Sequence, residues 1–224
     1  MAELQNIIFD LGGVLLNIDY EKTSRAFHTL GFPAFENMYS QFTADRLFQK
    51  LETGAISEQD FYRILIEARL REQGGKEDKR ETEGGGNIFP EEVKHAWNSM
   101  LLDWRTPSLH FLEKLGLKYR LFLLSNTNAI HMDQFNRSLK EQTGRDSIDG
   151  LFTKTYYSHL VNLRKPGEDI FEYILKDAGI VPAETLFVDD SANNIETAGK
   201  MGFRTHLLKA GELIEGLDYS SFSY

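Results

Sequence analysis

The sequence contains no cysteine. Disulfides, thiolate metal sites and cysteine nucleophiles are therefore excluded. Positive charge is in short supply: 25 Lys and Arg stand against 34 Asp and Glu, a formal net charge of -9. That argues against nucleic acid as the main partner, because binding a phosphate backbone needs a basic face. A small anionic ligand remains possible, since a local cation or a metal can hold it. Long apolar runs are also missing. A membrane-spanning helix needs about 18 or more such residues together, so no membrane partner is expected. The opening MAELQNIIFD has neither the basic start nor the apolar stretch of a secretory signal. A soluble cytoplasmic protein is the expectation. There is no internal repeat.

Hydrophobic residues make up 41% of the 224, enough for one core domain with a modest second one. LQNIIFD (4–10), YRLFLLSN (119–126) and TLFVDD (185–190) read as short buried strands, and FRTHLL (203–208) as a weaker fourth. Helical patterns lie between them over 107–117, 130–142, 168–179 and 192–202. This alternation predicts βαβ units, hence an α/β fold with a Rossmann-like parallel sheet and helices on both faces. In such sheets the working residues sit at the C-terminal ends of the strands.

The stretch 17–98 breaks the alternation and reads as helices only, with Ser57 as an N-cap in SEQD. An all-α insert directly after the first strand predicts a cap over the strand ends. The expected division is a core of 1–16 and 99–224 and a cap of 17–98. Within the cap, residues 71–86 carry no apolar side chain and are expected to form a flexible solvent loop.

Four places carry candidate chemistry. Asp10 ends the first strand, where a ligand can reach it, and Gly12 and Gly13 follow with room for positive φ and close backbone approach. Asp189 and Asp190 end a later strand as adjacent carboxylates, which repel unless a cation joins them; oxygen-only ligands favour Mg²⁺. Ser125 and Asn126 end the second strand, where a hydroxyl and free backbone N–H groups can hold a phosphate oxygen or cap a helix. Lys165 precedes Pro166, which keeps it out of helical geometry and within reach of the strand ends. Arg164 is the neighbouring alternative.

Together FDLGGVL, LLSNTN, LRKP and LFVDDSANNIETAGKMG resemble the four motifs of the haloacid dehalogenase-like (HAD) superfamily. The likeness runs over nearly the whole chain, with the cap inserted after the first motif, and is strongest to small sugar-phosphate phosphatases of the glucose-1-phosphatase-like group. The resemblance implies an Mg²⁺-dependent phosphatase acting on a small phosphorylated metabolite. It makes Asp10 the nucleophile that forms an aspartyl-phosphate. Ser125 and Lys165 would hold the phosphoryl oxygens and the nucleophile, with Gly13 and Asn126 at the phosphate. Asp190, assisted by Asp189 and joined by Asp10 and the Gly12 carbonyl, would bind the metal, and Asn194 would support that site.

One departure matters. Many phosphatases of the superfamily carry an aspartate two residues after the nucleophile, as general acid and base, and here that position is Gly12. Such a group contributes roughly 10²–10⁴ in rate. Either the substrate has an easy leaving group, such as an anomeric 1-phosphate, or another residue substitutes (Asp19, His131 and His159 are candidates), or turnover is feeble. A 2-haloacid dehalogenase and a phospho-ligand binding protein are the rival readings. The paired acids oppose the first, since dehalogenation needs no metal. Substrate choice is assigned to the cap, with residues 45–65 and 95–104 on its inner face. Trp97 is read as a core residue before a sugar platform. The oligomeric state is not legible.

Overall fold

The computed structural model describes residues 3–32, 35, 46–72 and 88–223. Its central sheet joins β1 (Asn6–Phe9), β4 (Arg120–Ser125), β5 (Lys154–Tyr157), β6 (Thr185–Asp189) and β7 (Arg204–Leu207) in the order β5-β4-β1-β6-β7, every pair parallel. Side chains alternate across it. Ile7, Phe9, Leu121, Leu123 and Val188 enter one buried cluster, while Ile8, Phe122, Leu124 and Phe187 enter another on the opposite face. A sheet buried on both faces has no polar stripe, which is why its strands read as continuous apolar runs.

Helices cover both faces. α5 (Thr106–Leu115) and α6 (Ala129–Thr143) bring Leu109, Leu112, Phe135 and Leu139 to the first. α8 (Glu168–Ala178) and α9 (Ala192–Lys200) bring Ile170, Phe171, Ile174 and Ala198 to the second. The C-terminal aromatics dock on the first face: Tyr219 is buried, and its hydroxyl donates to the Ile214 carbonyl at 2.9 Å.

Between β1 and β4 the chain forms α1 (Tyr20–Thr29), α2 (Leu47–Glu52), α3 (Glu58–Glu72) and α4 (Pro90–Asn98). They enclose a separate cluster that includes Phe27, Phe61, Leu65, Val93 and Trp97. Ser57 caps α3, its Oγ accepting from the Asp60 N–H at 3.1 Å.

Three features differ from the sequence reading. β2 (Leu16–Ile18) pairs antiparallel with β3 (Leu101–Trp104) at the two points where the helical segment leaves and rejoins the chain. The stretch read as helices only thus opens on a short strand, and its last helix ends at Asn98. β5 is a further strand, with a polar lysine first and two tyrosines last. The polar segment read as a loop from residue 71 is still helical at Arg71 and Glu72, and 73–86 lie outside the described residues.

Candidate active site

Register builds the site. Phe9 lies opposite Leu123 on one side and Val188 on the other. Asp10, the β4 end and Asp189 therefore emerge together at the C-terminal edge of the three central strands. The Asp10 N–H continues the ladder by donating to the Val188 carbonyl at 2.9 Å, which fixes its direction of exit.

Lys165 is the hub. Its side chain is 1% exposed, and Nζ lies 2.8 Å from Asp10 Oδ1, 2.6 Å from Asp189 Oδ2 and 2.9 Å from the Leu124 carbonyl. All three ammonium protons thus have a partner. Asn126 holds the lysine backbone from both sides: its Nδ2 donates to the Lys165 carbonyl at 2.8 Å, and its Oδ1 accepts from the Lys165 N–H at 2.9 Å. Asn126 thus positions the ammonium. Arg164, the alternative cation, lines the same cleft but pairs with Glu52 of α2 at 2.8 Å.

The two adjacent acids divide in environment. Asp189 is fully buried and its oxygens are engaged: it accepts from Lys165, from the Ser191 N–H at 2.8 Å and from Asn194 Nδ2 at 3.0 Å to each oxygen. Asp190 is exposed and lines the cleft. Asp10, Asp189 and Asp190 can each offer one oxygen such that all three lie within 4.8 Å of one another.

Charge is unbalanced there. Three carboxylates against one ammonium sum to -2. Burial, with added repulsion from Asp189 and Asp190, pushes the Asp10 carboxyl up to about 7 despite Lys165. Burial and then Asp189 raise Asp190 as well. Lys165 is raised in turn, because Asp10 and Asp189 outweigh the burial that would lower it. A surplus of two negative charges from hard oxygen donors at one end of the cleft suits a divalent cation with oxygen preference, so the donor set fits Mg²⁺.

The glycines serve different ends. Gly13 has φ +71, and a Cβ there would fall 1.9 Å from Asp190 Oδ2, so both space and conformation demand glycine. Gly12 does not have positive φ, contrary to the sequence reading; a Cβ there would instead sit 2.4 Å from Ile18 Cδ1. The Ile18 methyl fills the place a side chain at position 12 would take. Arg105 pins this loop, donating to Asn17 Oδ1 at 2.8 Å and to the Val14 carbonyl at 3.1 Å.

The cleft, about 410 Å³, is lined by Asp10, Gly12, Asn126, Lys165, Asp190 and Asn194 from the strand ends, and by Ile18, Tyr20 and Glu52 from the helical side. Ser125 is buried at the end of β4 and is not on the cleft wall. Asp19, His131 and His159 are not on it either. Asp19 caps α1, accepting from the Glu21 N–H. His131 is buried against Asn98 and stacks on Trp97 at 5.2 Å. Trp97 also stacks on Phe48 at 5.1 Å, so it is a core residue of the helical segment. Among the described residues of the two segments read as the inner face, Glu52 alone lines this cleft. Glu52, Tyr20 and Ile18 carry no local signal in the sequence; each is an ordinary member of an amphipathic helix or a short strand.

Aspartate, lysine and paired acids at the ends of parallel strands define a HAD-type hydrolase core. A haloacid dehalogenase-like hydrolase family model matches residues 4–202, and the chain belongs to that family. It is 32% identical over 202 residues to D-ribitol-5-phosphate phosphatase of Bacteroides thetaiotaomicron, covering 90% of each chain. It also resembles a HAD family enzyme of that organism crystallised with magnesium and inorganic phosphate, at 34% identity and TM-score 0.74, covering 99% of this chain and 100% of that one. A HAD-like family hydrolase of Porphyromonas gingivalis is 34% identical over 94% of each chain, with TM-score 0.78.

Proposed function

We propose that this HAD phosphatase hydrolyses a small phosphorylated sugar or polyol through an aspartyl-phosphate on Asp10. The observation that carries the reading is Lys165, buried and held at 2.8 Å from Asp10 and 2.6 Å from Asp189 beside an exposed Asp190. Lys165 and Asn126 fix the direction of the Asp10 carboxylate, a positioning effect of the kind that lowers the entropic barrier to attack. Asp10, Asp190 and the Gly12 carbonyl would hold Mg²⁺, with Asp189 and Asn194 behind them. When bound, the ion screens the repulsion between carboxylate and phosphate and polarises the phosphoryl group. Gly13 keeps the loop at the phosphate clear of a side chain, its own N–H being given to the Leu16 carbonyl at 2.8 Å, and Ser125, buried at the end of β4 off the cleft wall, would have to turn into the cleft to take a phosphoryl oxygen. The helical segment 17–98 serves as the cap, since Ile18, Tyr20 and Glu52 close the cleft over the strand ends of 1–16 and 99–224.

The name of the Bacteroides relative supports a phosphorylated polyol. The anomeric 1-phosphate preference is a second reading, carried by Gly12: it holds if no side chain in the cleft gives the leaving group a proton. The acid cluster weighs against dehalogenation, which needs no metal, and the intact Asp10–Lys165 pair weighs against a purely binding role.

The test is phosphate release from hexose 1-phosphates, hexose and ribitol 5- or 6-phosphates, acetyl phosphate and an aryl phosphate, with and without Mg²⁺. Mg²⁺-dependent release that disappears in Asp10→Asn is the expected result. Release that survives Asp10→Asn in a folded variant rules out the nucleophile. Turnover of alkyl phosphates equal to or better than that of 1-phosphates removes the second reading.

A further inference from the structure

A phosphatase that cleaves an alkyl phosphate has to place a proton on the departing oxygen, and Gly12 offers none. Ile18 Cδ1 occupies the space a side chain there would use. The proton must come from elsewhere on the cleft wall. Asp10 is committed to attack, Asp190 to the metal and Lys165 to its two aspartates. On the rest of the wall Arg164 is held by Glu52 and Ser191 offers only an aliphatic hydroxyl, so among the described residues two acids face the cleft from the helical side, Glu52 and Tyr20. Tyr20 is 69% exposed, the more solvent-facing of the two. Glu52 is partly buried at the end of α2 and lines the same cleft as Asp10, with one carboxylate oxygen on Arg164 Nε at 2.8 Å.

We infer that Glu52 is the acid–base residue of this active site, supplied by the helical segment in place of the aspartate absent at position 12. The inference rests on the phosphatase reading above. In the first step the Asp10 carboxylate attacks phosphorus, the bond from phosphorus to the leaving oxygen breaks, and that oxygen takes the proton of the Glu52 carboxyl. The alcohol departs, and the Glu52 carboxylate left behind is stabilised by the Arg164 guanidinium. In the second step the same carboxylate removes a proton from water as its oxygen attacks the aspartyl-phosphate. Asp10 leaves as carboxylate, inorganic phosphate forms, and Glu52 is again protonated. Burial raises the Glu52 carboxyl above its ordinary value, opposed by Arg164 and, more weakly, by Lys165; the direction suits a group that must carry a proton into the first step.

Glu52→Gln keeps the shape and the Arg164 contact but cannot exchange a proton. The experiment uses the full chain with Mg²⁺, the best alkyl phosphate of the panel above, and 4-nitrophenyl phosphate. On the alkyl substrate kcat is expected to fall about 10²–10⁴-fold. On the aryl substrate the first step needs no proton. The variant should then release nitrophenolate in a burst equal to the enzyme concentration, followed by slow turnover as the aspartyl-phosphate waits for an activated water. A brace for the cap would lower both substrates by one common factor with no burst, and that result overturns the inference. A loss below tenfold on the alkyl substrate overturns it too, as does a burst produced by Tyr20→Phe instead. The wild-type chain gives an independent check. With an acid present, rates across alkyl phosphates depend weakly on leaving-group basicity, and a steep dependence overturns the assignment whether or not the variant folds. Activity surviving in Asp10→Asn would bring down the phosphatase reading, and the Glu52 role with it.

Discussion

At the scale of single residues, two neighbouring glycines answer to different constraints. Gly13→Ala puts a methyl 1.9 Å from Asp190 Oδ2 at φ +71, so the carboxylate must move off its position. We expect the variant to fold, by circular dichroism, yet to need at least tenfold more Mg²⁺ for half-maximal activity. Gly12→Ala meets only the far end of Ile18, which can rotate, and should shift that requirement by less than half as much on a logarithmic scale. The residues at the strand ends were legible in the sequence because a polar residue closing a buried apolar run has few places to be. Asp10, Asn126, Asp189 and Asp190 lie at or just past strand ends, where that logic put them, while Lys165 comes from the loop before α8, where Pro166 marked it. What the sequence could not give was partnership. That Asn126 holds the lysine backbone, that Arg164 serves Glu52, and that Ile18 fills the space beside Gly12 are contacts across 39, 112 and 6 positions.

At the scale of elements, the long amphipathic helices and the strands buried on both faces were readable from periodicity alone, with ends moved by a few residues. The short elements were not. β2 has three residues and β3 four, too few to show a period, and their pairing is set by the loop that Arg105 anchors. β5 is an edge strand with a lysine at its start, so only half of it looks buried. Caps were more transparent. Ser57 both accepts from the Asp60 N–H at 3.1 Å and donates to Asp60 Oδ2 at 2.8 Å. Replacing it with alanine leaves N-terminal donors of α3 unmet and should cost about 1 kcal/mol, read as a lower urea midpoint at unchanged slope.

At the scale of the molecule, two apolar clusters meet at His131. It starts in α6 of the core, yet its ring lies on Trp97 of the helical segment and its Nδ1 is 2.8 Å from Asn98 Oδ1. Burial lowers its pKa from 6.5 to about 3. The sign follows directly: the folded state holds the neutral ring, so its contribution is complete above about 6.5 and is lost as pH falls toward about 3. Between pH 7 and pH 4.5 this one site should remove about 2–3 kcal/mol. His131→Gln can keep the contact to Asn98 without titrating, so its urea midpoint should fall less than that of the parent chain over the same interval. Equal slopes would show that the ring is protonated at little cost.

The Ile18 methyl beside Gly12 also bears on ancestry. Two of the four glycine codons lie a single nucleotide from an aspartate codon, and the other two lie as near to glutamate, so an acid at position 12 is one mutation away in the gene. In the fold that change also asks Ile18 to turn its end methyl aside, since Cδ1 lies 2.4 Å from where the new Cβ would stand. A lineage moving between the two arrangements has to reseat residue 18 as it does so, and substitutions at 18 that shorten its side chain should ease the step.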